Sequence, residues 1–211
     1  MSDAAPPRLP PTRWALGGDR NPGYGERFAQ LIADGTDVVG EARLADTLVE
    51  RGATILDAGS GMGRIGAHLL ALGHRVIAAE PDPVLATQSR RTFPDLPVVP
   101  HEILTLTPEA LTAAGAPTAY DLVVCVGNVL TFVAERTEVA VLERLGSLLA
   151  TGGRILVGFH LQQGPSTARE YTPEEFLADV DAAGLVVQHR FGGYDLRPAD
   201  DLYSVAILSQ P

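Results

Sequence analysis

Apolar positions along this chain fall into two alternating patterns. Segments such as "ATILDAG", "HRVIAAE", "LPVVPHE", "YDLVVCVGN" and "GRILVGFH" are short apolar runs, and the stretches between them are amphipathic. The runs predict strands, and the stretches predict helices beginning near Gly63, Asp82, Thr107 and Glu135. Leu122 to Val126 is apolar at every position, as a strand requires when helices cover both faces of its sheet. This order predicts an α/β fold with a doubly wound, mostly parallel sheet. Further on, Thr172-Pro173-Glu174-Glu175 has the form of a capping box with proline at the first helical position, opening a helix over "PEEFLADVDAAG". "LVVQHRF" and "LYSVAILSQ" follow closely enough to pair as an antiparallel hairpin that closes the sheet.

Ahead of the first strand, "YGERFAQLIAD" and "VVGEARLADTLVERG" each carry apolar residues on one helical face, predicting a helical cap over residues 23–52. Residues 1–22 hold Pro6, Pro7, Pro10, Pro11 and Pro22, which favour extended backbone, so an arm is expected there. Residues 23–211 are expected to form one domain, and a chain of 211 residues can bury roughly 70–75% of its unfolded surface in one core. With the core fold complete from Ala53, the arm and first helix are expected to act as a lid over a ligand.

Charge narrows the partners. The net charge is -10 and every basic residue is an arginine, so the chain should repel a phosphate backbone, and nucleic acid is not an expected partner. The absence of lysine beside abundant Ala, Gly, Pro and Arg resembles GC-rich bacterial coding. Cys125 is the single cysteine, which excludes an internal disulfide and fits a reducing cytoplasm; inside its apolar run it reads as a core residue. No segment approaches the ~20 apolar residues of a membrane span. His68, His74, His101 and His189 lack metal-ligand spacing, so no metal is expected.

Candidate chemistry gathers in "ILDAGSGMGRIG". Gly61-x-Gly63-x-x-Gly66 matches a dinucleotide fingerprint, whereas Asp57-x-Gly59-x-Gly61-x-Gly63 is a different nucleotide loop. Glu80 ends the second strand 19 residues beyond Gly61, where an acid can accept hydrogen bonds from both ribose hydroxyls of either ligand. Asp57 separates the two readings. Beside a pyrophosphate its carboxylate would be repelled by several kcal/mol, on the order expected for partly desolvated like charges, whereas S-adenosylmethionine presents an ammonium group there.

With the terminal hairpin added, the order of elements and "ILDAGSGMGR" resemble the class I S-adenosylmethionine-dependent methyltransferases, from Ala53 to the C-terminus. The resemblance implies a seven-stranded sheet whose last strand is antiparallel. It also implies a cofactor loop of Asp57, Gly59, Ser60, Gly61 and Gly63, with Glu80 on the ribose and Pro81 and Asp82 beside the adenosine. Glu102 and Ile103 should lie near the adenine, although His101 stands where the family usually has glycine. Val126, Gly127 and Asn128 should lie near the sulfonium and the transferred methyl. "CVGNVLTF" lacks the Asn-Pro-Pro-aromatic signature of enzymes that methylate amino groups of bases or glutamine.

The implied activity is methyl transfer to a small-molecule acceptor. His160 is expected at the carboxyl edge of the sheet beside Phe159, both in or beside the acceptor pocket, with His160 orienting or deprotonating the acceptor and Asn128 as a second catalytic candidate. Tyr24 and Arg27, one helical turn apart, either cover the cofactor carboxylate or pack their helix down. Two other functions remain open: an NAD-dependent oxidoreductase using the dinucleotide fingerprint, and a non-catalytic S-adenosylmethionine-binding module. The acceptor's identity, its pocket over "HLQQGPSTAREY", and the oligomeric state are not legible.

Overall fold

A computed structural model describes residues 9–18, 23–161 and 167–211. The remainder of the expected arm and residues 162–166 of the acceptor loop lie outside the described residues. Strands β1 (Thr54–Ala58), β2 (Arg75–Ala79), β3 (Val98–Val99), β4 (Tyr120–Cys125), β5 (Leu149–His160), β6 (Val186–Phe191) and β7 (Tyr203–Ser209) form one sheet in the order β3-β2-β1-β4-β5-β7-β6. The first five strands are parallel, and β7 runs antiparallel to both β5 and β6. The seven-stranded, mostly parallel expectation therefore holds.

Helices α1 (Arg13–Gly17), α2 (Tyr24–Ala33), α3 (Gly40–Thr47), α4 (Arg64–Ala71), α5 (Pro83–Thr92), α6 (Pro108–Ala113), α7 (Val129–Phe132), α8 (Glu138–Ser147) and α9 (Pro173–Ala182) join or precede the strands. Local sequence sets several of their starts. Asp82 caps α5 by accepting from the Val84 and Leu85 N–H groups, and Thr172 with Glu175 forms the expected capping box on α9. The helix expected from Glu135 begins only at Glu138, because Arg136 takes a positive φ of 62°. Strand β3 shrinks to two residues between Pro97 and Pro100, neither of which can donate to a ladder.

Two apolar clusters cover the sheet's faces. Leu56, Val123, Ile155 and Val157 pack with α8 and α9 residues Leu142, Leu145, Phe176 and Val180. On the other face Ile55, Leu122, Val124 and Leu156 pack with Ala42, Ala45, Ile65 and Leu69 from α3 and α4. Both faces of the sheet at β1 and β4 are thus buried, as the apolar run from Leu122 to Val126 requires. Cys125 is fully buried in the first cluster, and burial pushes its thiol well above the ordinary value. The order reverses between β1 and β4, so their following loops diverge and leave a crevice at the strands' carboxyl ends.

Part of the arm is itself folded. Thr12 caps α1 by accepting from the Ala15 N–H at 3.0 Å and bridges to Ala134, while Arg13 donates to the Val133 carbonyl and pairs with Glu138 at 3.0 Å. Among the described residues no helix is long and apolar enough to cross a membrane, and no cluster of metal-ligating side chains occurs.

Candidate active site

The crevice opens into a cavity of about 300 Å³. Its floor comes from the loops after β1, β2 and β4, through Gly59, Gly61, Glu80, Pro81, Gly127 and Asn128. Glu102 and Ile103 close one side, and Trp14, Tyr24, Leu85, Phe132 and Val141 supply apolar walls. Arg27 is the basic residue among the described lining residues and is exposed.

The glycine turn is shaped by close approaches. A Cβ on Gly59 would lie 2.7 Å from the Val129 methyls, and one on Gly63 would lie 2.3 Å from Ser89 Oγ; both residues have positive φ. The N–H groups of this turn are engaged within the protein. Those of Gly59 and Ser60 donate to the Ala79 carbonyl, Gly61 N–H to Glu80 Oε2 at 2.7 Å, Gly63 N–H to the Ser60 carbonyl, and Gly66 N–H to Asp57 Oδ2 at 2.9 Å. A pyrophosphate would need such donors free and would face the Glu80 carboxylate. The set fits a ligand without phosphate that brings ribose hydroxyls and positive charge.

Glu80 is buried, and its other oxygen accepts from the Asp82 N–H at 2.8 Å. Burial pushes its carboxyl up to about 7 against the pull of the two N–H donors. Desolvation also raises Glu102, which is half-buried. Asp57 departs from its expected place. It is buried beneath the turn and does not line the cavity; its carboxylate holds the start of α4 and burial raises it to about 7. Ser60, Gly63 and Val126 likewise lie behind the wall, Ser60 with a buried hydroxyl that has no partner among the described residues.

Tyr24 lines the cavity beside Gly61 and packs edge-on against Trp14, with centroids 5.5 Å apart; burial raises its phenol above the ordinary value. The packing reading of Tyr24 is thus met, by a side chain that also lines the cavity. Trp14 also meets Phe132 at 5.5 Å and donates from Nε1 to Asp82 Oδ2 at 2.7 Å. Neither Trp14 nor Phe132 was expected from the sequence. The legible signal for Trp14 was Thr12, a helix cap directly before "RWALG".

His160 and Phe159 need correction. Phe159 points into the core against Tyr171 and Phe176, at centroid distances of 5.2 and 5.1 Å. His160, one pleat later, is exposed and outside the cavity wall, where its ring meets Tyr203 edge-on at 4.8 Å. It is joined to the wall through Asn128, whose Oδ1 lies 2.8 Å from the His160 backbone nitrogen and 3.0 Å from Nδ1.

The model of a methyltransferase domain matches residues 56–155. A TehB-like S-adenosylmethionine-dependent methyltransferase from Corynebacterium glutamicum is 31% identical, with a TM-score of 0.79, and the match covers 92% of this chain and 99% of that one. The chain belongs to the S-adenosylmethionine-dependent methyltransferases. Its cofactor is S-adenosylmethionine, and the oxidoreductase alternative falls with the engaged N–H groups of the turn. The CcbJ methyltransferase from Streptomyces caelestis shares the fold at 16% identity and a TM-score of 0.69, over 81% of this methyltransferase and 89% of its own chain. So does 1,6-didemethyltoxoflavin-N1-methyltransferase from Burkholderia thailandensis, at 20% identity and a TM-score of 0.61, over 98% and 92%. No curated protein matches this methyltransferase.

Proposed function

We propose that this methyltransferase moves the methyl group of S-adenosylmethionine to an oxygen, nitrogen or carbon atom of a small molecule. The observation that carries the reading is the wall chemistry: a cavity of about 300 Å³ with aromatic and aliphatic sides, two carboxylates and one arginine among its described lining residues. Such a volume falls in the small-ligand range, and the carboxylates with a net charge of -10 disfavour a polyphosphate acceptor.

Each lining residue then has a task. Glu80 accepts from the ribose hydroxyls, Glu102 and Ile103 flank the adenine, and Gly127 and Asn128 border the reacting centre. Trp14 and Tyr24 exclude water from above. When bound, the cofactor supplies an electrophilic methyl on a cationic sulfur. The protein's part is to hold the acceptor atom in line with that methyl, and positioning alone is a large contribution to rate. A base is required only where the acceptor must lose a proton.

The test is the fate of a labelled methyl group. Incubated with methyl-labelled S-adenosylmethionine and a cell extract, the protein is expected to place label in the small-molecule fraction, with matching S-adenosylhomocysteine. Label confined to protein or nucleic acid would overturn the proposal.

A further inference from the structure

Asn128 has an unusual backbone and an over-determined side chain. It stands at the N-cap of α7 with φ 74°, fixed by its N–H to the Gly158 carbonyl and by the Thr131 N–H to its own carbonyl. A side-chain amide at this point accepts from the His160 backbone N–H at 2.8 Å, so the accepting atom must be the carboxamide oxygen. That oxygen is already an acceptor when it meets His160 Nδ1 at 3.0 Å, and an acceptor can be met only by a donor. In the neutral imidazole, Nδ1 therefore carries the hydrogen and Nε2 carries the lone pair. Among the described residues Nε2 has no partner.

We propose that Asn128 is a positioning residue that selects this tautomer, and that His160 Nε2 takes the proton of an O–H or N–H acceptor at the cavity rim. The inference rests on the small-molecule reading and narrows it to hydroxyl or amine acceptors. In the step, the acceptor's lone pair forms a bond to the methyl carbon as the carbon–sulfur bond breaks, its electrons remaining on sulfur. The acceptor's proton passes to Nε2, and the imidazolium, being exposed, returns it to solvent. The titratable groups packed around the ring do not compete for that proton near neutral pH. From β7 comes Tyr203, whose phenol is pushed by burial up to about 12; burial also holds Tyr194, bonded to it at 3.0 Å, well above the ordinary value. Behind them sits the mutually paired Glu41 and Arg64.

Two substitutions separate the side chain from its backbone. Asn128→Gly tolerates the positive φ and removes the acceptor, whereas Asn128→Asp keeps an acceptor in place. Nitrogen-15 correlation spectra of the histidine rings, recorded on the full chain without acceptor, read the tautomer directly, with His160→Gln identifying the signal. Wild type and Asn128→Asp are expected to hold the hydrogen on Nδ1, and Asn128→Gly to lose that preference. An unchanged tautomer in Asn128→Gly overturns the positioning role. With an acceptor in hand, His160→Gln should lower kcat at saturating S-adenosylmethionine about 10²–10⁴-fold, leaving KM for S-adenosylmethionine unchanged. An unchanged kcat overturns the base. The spectra need no turnover, so their outcome is separate from whether the acceptor is a small molecule.

Discussion

Replacing Glu80 by glutamine is expected to weaken cofactor binding and flatten its pH dependence. The carboxylate is buried and holds the Gly61 and Asp82 N–H groups at 2.7 and 2.8 Å. Glutamine has one accepting oxygen, so one of these donors meets an amide N–H₂, and the ribose hydroxyls lose a charged acceptor. The loss of charge-assisted bonds is about 1.5–3 kcal/mol, which is roughly a tenfold to hundredfold rise in Kd. Because the wild-type carboxyl titrates at about 7, its accepting form is depleted below that pH, and affinity should fall by up to about tenfold for each unit of acidification. Stability of the free protein runs the other way. A carboxyl raised from 4.5 to about 7 contributes stability that is fully present below 4.5 and lost as pH rises through 7. Calorimetric titration of both proteins with S-adenosylhomocysteine between pH 6 and 8, beside thermal unfolding of the free forms, measures each arm. Equal affinity and equal pH dependence in the two proteins would refute the ribose assignment.

Three further outcomes are expected. Trp14→Ala removes the Asp82 bond and the edge contacts to Tyr24 and Phe132, so cofactor affinity should fall while the sheet stays folded, as calorimetric titration and circular dichroism would show. Gly63→Ala must displace Ser89 or Leu96 and adopt a φ of 85°, and should lower stability by about 1–3 kcal/mol in urea unfolding. Phe159→Ala empties a site packed by Tyr171 and Phe176 and should cost about 3–5 kcal/mol in the same assay.

The parts of the fold that were legible are those where local pattern and tertiary burden agree. The apolar run from Leu122 to Val126, the glycine turn and the Thr172 capping box each encode their own surroundings, and all three form as read. Glu80 was legible because a strand end and a glycine turn fix its distance from Gly61. Less was legible where the partner is remote in sequence. Trp14 acquires its role from Asp82, 68 residues away, and nothing near it announces that bond. Asp57 was read as facing the cofactor's ammonium group from the mouth of the loop, but its carboxylate satisfies the Gly66 N–H beneath the turn. Phe159 and His160 cannot both face one pocket. Strand pleating sends them to opposite sides, and the apolar member goes to the core.

A crystal structure of the complex with S-adenosylhomocysteine tests the central claim most directly, because it places the ribose against Glu80 and the sulfur against Gly127 and Asn128. The account predicts both ribose hydroxyls within 2.6–3.2 Å, roughly hydrogen-bond distance, of the Glu80 carboxylate, with the Gly61 N–H bond retained. A ribose bound elsewhere, with Glu80 bonded only to Gly61 and Asp82, would contradict it.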